Sequence, residues 1–139
     1  MIMIAQDTQS MEQVSIEMPR HLKFIATLPC VICGDSTQTQ CAHIRFADPR
    51  LCKPESGMGR KPNDWCCVPL CGKHHAEQHC VSEKSWWASW DLDAHLVSMA
   101  LYVNSGDYNK CCYIIEYHQL HSLKCSDLRK ASGQNNLKR

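Results

Sequence analysis

The most constraining feature of this chain is a pair of short ligand spacings, Cys30-Val31-Ile32-Cys33 and Cys71-Gly72-Lys73-His74. Two intervening residues make a tight turn, and such a turn aims both flanking side chains at one point. Two turns together supply three thiolates and one imidazole, a donor set that suits tetrahedral zinc. A structural zinc contributes directly to stability, so Cys30, Cys33, Cys71 and His74 are expected to hold the fold together. The chain has eleven cysteines, and Cys41, Cys52, Cys66, Cys67 and Cys80 stay open as alternative ligands.

Eleven cysteines in 139 residues approach the density of a secreted disulfide scaffold. An odd count, however, leaves one thiol over in a closed set of intrachain disulfides. The opening Met1-Ile2-Met3-Ile4-Ala5 has no basic flank, and its apolar run is short for a signal peptide. A reducing, cytoplasmic compartment is therefore expected, where cysteines beside histidines read as metal ligands. Ser98 breaks the longest apolar stretch, so no membrane span is expected. Hydrophobic residues at 44% and charged residues at 21% indicate a globular chain of one domain with or without a tail. A net charge of +1 names no partner.

Residues 1–18 are polar and aperiodic and read as a flexible N-terminal extension. Pro19 opens a helical pattern through Leu22, Ile25 and Ala26, which Pro29 ends. Residues 41–46 have strand character. Residues 47–64 contain three prolines and two glycines and read as a long loop without regular structure. A second strand is expected over residues 65–70, followed by a helix through His79. Leu92, Leu96, Met99, Ala100 and Val103 share one face of a further helix that Asn104-Ser105-Gly106 ends. Another follows Asp107, a candidate N-cap. Residues 19–90 form the expected zinc domain, 91–123 a helical pair packed on it, and 124–139 a basic flexible tail.

His75 and His79 are one helical turn apart and share a face. His74 is rotated by about 100° from His75, which frees it to face a different ion. Two enzyme motifs fail on inspection. A zinc protease needs Glu directly after its first histidine, whereas Glu77 stands two positions after His75. A nucleobase deaminase needs H-x-E before P-C-x-x-C, and here Pro29-Cys30-Val31-Ile32-Cys33 precedes His75-Ala76-Glu77.

The arrangement resembles the HNH endonuclease family, whose core is a ββα-metal unit, with CxxC before the first strand and CxxC or CxxH at the helix start in its zinc-knuckle members. The resemblance covers about residues 20 to 90. Leu28-Pro29-Cys30, Ala42-His43-Ile44-Arg45, Gly57-Met58-Gly59-Arg60-Lys61-Pro62, Asp64-Trp65 and Val68-Pro69-Leu70-Cys71 through His79 are similar to small phage and prophage members of the lambdoid and Ref-like kind. It implies an α+β fold: a small zinc-stabilised ββα-metal core, flanked by an N-terminal helix and two C-terminal helices.

The resemblance also implies roles. His43 matches the general base on the strand, and a histidine suits proton transfer near neutral pH. His75 and His79 match the ligands of a catalytic divalent ion, Mg²⁺ or Mn²⁺, distinct from the structural zinc. The chain departs from the pattern at Ala42, where many members carry a further ligand. It departs again at Cys66, where the family's middle Asn stands. Asp64, anionic and hard, is the expected substitute ligand, ahead of Asn63. The implied activity is hydrolysis of DNA phosphodiester bonds, in phage or prophage recombination or processing within a bacterial host cell, with phage or host recombination proteins as further partners.

Arg45, Arg50, Lys53, Arg60 and Lys61 outnumber Asp48 and Glu55 across residues 44–62, so this loop is expected to approach phosphates. Arg45, Arg60, Lys61 and Lys73 are the candidate DNA contacts. Trp86, Trp87 and Trp90 have helical spacing, which favours packing over base stacking. The competing reading is a non-catalytic zinc-knuckle module that binds nucleic acid or protein. A cysteine-based redox protein would instead need Cys30 and Cys33 free.

Overall fold

A computed structural model describes residues 17–56 and 62–131. Most of the expected N-terminal extension, the glycines of the loop, Arg60, Lys61 and the last eight residues lie outside the described residues. The fold is α+β, with one antiparallel pair of strands and six α-helices in the order α1 (Pro19–Ile25), β1 (Thr39–His43), β2 (Cys67–Cys71), α2 (Gly72–Cys80), α3 (Glu83–Ser89), α4 (Ala94–Val103), α5 (Tyr108–His121) and α6 (Leu123–Ala131).

Pro19 starts α1 because its missing N–H and fixed φ suit the first helical position. The helix buries His21 and Ile25. In the β1–β2 pair, Thr39 stands opposite Cys71 and His43 opposite Cys67. Every residue of β2 is buried, because α1, α2 and α4 all pack on it. Pro69 fits there because each strand of a two-stranded sheet has an edge that needs no N–H donor. Its carbonyl accepts from Val31 N at 3.0 Å, which ties the first thiol turn to the sheet.

Both strands are displaced from their expected bounds. The first begins at Thr39 and ends at His43 rather than spanning 41–46, although Ile44 N still donates to Cys66 O. The second begins at Cys67, because Cys66 N closes a turn onto Asn63 O.

The loop after β1 contains regular structure that its composition concealed. Pro49–Leu51 form one 3-10 turn, and Asp48 caps it by accepting from Arg50 N. Asp48 and Lys53 then pair as an isolated antiparallel bridge.

Asp93 and Asp107 cap α4 and α5, accepting from Leu96 N and Lys110 N. Helix α5 buries Cys111, Ile115 and Gln119 at a spacing of four. Two helices join the expected pair. Trp86 and Trp87 pack α3 into the core, as their spacing suggested. The expected tail is helical as far as Ala131, with Leu128 packed against the core, so the flexible-tail reading is corrected for residues 124–131. No described helix is long and apolar enough to cross a membrane.

Candidate metal centre

Cys30, Cys33, Cys71 and His74 converge, with one ligand atom from each within 4.8 Å of the others. Two local features place them. Gly34 takes a φ of 77°, a conformation open to glycine, and its N–H returns to Cys30 O at 2.8 Å. This closes the first turn. Cys71 occupies the N-cap of α2 in an extended conformation. An N-cap side chain folds back over the first turn, so Sγ meets His74 three residues on, at 3.1 Å from Nδ1.

Two of the three separations suit a tetrahedral ion, and the Cys71 Sγ–His74 Nδ1 distance of 3.1 Å is shorter than that geometry gives. Zn–S and Zn–N bonds of ordinary length put two sulfurs ~3.8 Å apart and a sulfur and nitrogen ~3.6 Å apart. Cys33 Sγ and Cys71 Sγ are 3.9 Å apart, and Cys30 Sγ is 3.7 Å from His74 Nδ1. A hydrogen bond from the Cys30 thiol draws Cys33 down to about 4, while Cys30 is pushed up by that bond and by burial. The four residues could therefore hold a metal ion such as zinc.

Three neighbours brace this cluster, and none was expected from the sequence. Gln119 is buried, and its Nε2 donates to Cys30 O at 2.9 Å and Val31 O at 3.1 Å. Trp90 meets the His74 ring edge-on at 5.5 Å. Lys124 lies 4.9 Å above Trp90. The link from residue 30 to residue 119 leaves no local signal in the sequence.

His75 and His79 pair on α2, with ring centroids 4.8 Å apart. Gln40 Oε1 lies 2.7 Å from His75 Nδ1. That oxygen accepts, so Nδ1 carries the hydrogen and Nε2 keeps its lone pair for a ligand. Burial first, and then the charges of His79 and His43, hold His75 below the ordinary histidine range.

His43 and Asp64 also come together, with Nε2 3.0 Å from Oδ1. Asp64 is 1% exposed, and its Oδ2 accepts from Met18 N at 2.7 Å. This differs from the expected role of Asp64. Its two oxygens meet His43 and Met18 N, and among the described residues Asp64 joins no cluster with His75 and His79. The strand holding His43 is clamped to α2 and α3. Glu83 accepts from Arg45 N through both oxygens, and Gln78 Nε2 donates to Glu83 at 3.0 Å.

Two basic residues of the expected loop are held within the fold. Arg50 binds Asp48 and Asp93. Lys53 is buried, with Nζ donating to Phe46 O. Arg45 and Lys73 are exposed. Comparison with protein-family models, curated proteins and solved structures finds no match.

Proposed function

We propose that this protein is a divalent-metal-dependent endonuclease of the HNH type that hydrolyses DNA phosphodiester bonds. The strand–strand–helix order with thiol turns at both ends supports the ββα-metal reading. The observation that carries it furthest is the His43–Asp64 contact. A carboxylate only accepts, so Nε2 of His43 holds the hydrogen and Nδ1 keeps the lone pair. An imidazole fixed in one tautomer by a buried carboxylate is a general base ready to take a proton from water.

His75 Nε2 and His79 are the groups that would hold the catalytic Mg²⁺ or Mn²⁺. Such an ion supplies charge for the scissile phosphate and the departing 3′ oxygen. His43 Nδ1 takes the proton of the attacking water, and Asp64 stabilises the imidazolium that results. Lys73 and Arg45 lie exposed near α2 and β1 as phosphate contacts, and phage or prophage DNA is the substrate that the sequence resemblance implies.

A second reading rests on the commitment of Asp64. With that carboxylate on His43, the α2 histidines are left as a two-residue donor set, which suits a non-catalytic zinc-knuckle binding module. Plasmid nicking in Mg²⁺ or Mn²⁺ separates the two. The nuclease reading expects cleavage by the zinc-loaded wild type and loss in His43→Ala and His75→Ala. No cleavage by folded, zinc-loaded protein supports the binding module.

A further inference from the structure

Away from these residues, one other set of metal-ligating side chains converges among the described residues: Asp48, Asp93 and His95. They come from the loop after β1 and from the start of α4. One ligand atom from each lies within 4.8 Å of the other two. They line a cleft of about 530 Å³, whose walls also include Phe46, Arg50 and Trp87.

His95 makes this more than an acidic cluster. It is 2% exposed, and its Nε2 lies 3.0 Å from Phe46 O. A carbonyl only accepts, so Nε2 bears the hydrogen. Nδ1 of the neutral ring is then a lone pair, and it faces Asp48 Oδ2 at 3.4 Å. Two acceptors oppose each other across that gap. Arg50 already donates to that oxygen, and the Nδ1 lone pair is answered by a proton or by a metal ion.

Arg50 answers the carboxylates without answering His95. Its guanidinium binds Asp48 Oδ2 at 2.6 Å and Asp93 Oδ2 at 2.9 Å from the solvent side, with 62% of the side chain exposed. We propose that Asp48, Asp93 and His95 form a second metal site, which takes a divalent cation such as Mn²⁺ in exchange for the Arg50 guanidinium. One imidazole and two carboxylates suit such an ion, and the open cleft gives it entry and water ligands. The site shares no residue with the proposed nuclease centre and stands independently of it.

The test is an Mn²⁺ titration of the full-length, zinc-loaded protein, followed by paramagnetic broadening of backbone amides. His75→Ala and His79→Ala are included to remove the α2 ligands. The amides around Asp48 and at residues 94–96 should broaden selectively. Arg50→Gln should raise the affinity about tenfold, as removal of a competing cation does by mass action. Asp93→Asn added to Arg50→Gln should abolish the effect while α4 keeps its cap, since Asn caps as well as Asp. Amides that stay sharp in the Arg50→Gln protein, or broadening that survives Asp93→Asn, would overturn the proposal.

Discussion

Nε2 of His43 lies 3.0 Å from Oδ1 of Asp64, across a separation of 21 residues in the chain. The carboxylate is buried and also accepts from Met18 N, so the start of α1 and the end of β1 are fixed to one side chain. In the proposed mechanism Asp64 is an orienting residue. Asp64→Asn keeps the shape but can donate to Nε2, which selects the other tautomer. DNA cleavage should fall by about 10²-fold or more, with DNA affinity unchanged. Single-turnover rates and a binding titration check this, and an unaltered rate would contradict it.

The thiol cluster predicts a sharp split among cysteines. Cys30→Ser should abolish stoichiometric zinc and unfold the domain at temperatures where the wild type is intact, because zinc binding and folding are linked. Cys52 is exposed and outside the cluster, so Cys52→Ser should leave both properties alone. Metal content and thermal melts of the two variants decide the matter.

Gln119 predicts a stability effect far from the Cys30, Cys33, Cys71 and His74 cluster in sequence. Gln119→Leu removes the donor shared by Cys30 O and Val31 O; Cys30 O keeps its bond from Gly34 N, and Val31 O loses its side-chain donor in a buried place. The expected cost is about 1–3 kcal/mol. A urea unfolding curve should show a lower midpoint at unchanged slope, together with faster loss of zinc to a chelator.

His21 predicts a pH effect with a defined sign. It is 5% exposed, and its Nδ1 pairs with Ser105 Oγ at 2.8 Å. Its buried Nε2 has no partner among the described residues. Burial holds its pKa below the ordinary value of 6.5, with the Asp64 charge opposing the shift. Below pH 6.5 the unfolded chain therefore binds the proton more readily than the folded one, and stability declines as pH falls. His21→Leu should flatten that decline just below pH 6.5, measured as urea midpoint against pH. Parallel curves for the two proteins would contradict the assignment.

The two ligand turns were legible in the sequence because each is local: two residues between the ligands dictate the turn, and Gly34 allows the first to close. The α2 histidine pair and the Asp107 cap were legible for the same reason. What escaped depends on contacts between distant segments. Charge counting included Arg50 and Lys53 in the loop's positive excess, but Asp48, Asp93 and the Phe46 carbonyl already hold them. Asp64 was chosen as a hard metal ligand, a choice that chemistry alone permits. Only the packing of α1 against β1 and β2 reveals that His43 and Met18 claim it.

The central claim is that His43 acts as the base beside an ion held on α2. It is tested most directly by single-turnover cleavage of an end-labelled DNA duplex in saturating Mn²⁺, comparing zinc-loaded wild type with His43→Ala. The account predicts cleavage that leaves 3′ hydroxyl and 5′ phosphate ends, with a rate about 10²-fold or more lower in the variant at unchanged DNA affinity. Equal rates, or no cleavage by folded wild-type protein, would contradict it.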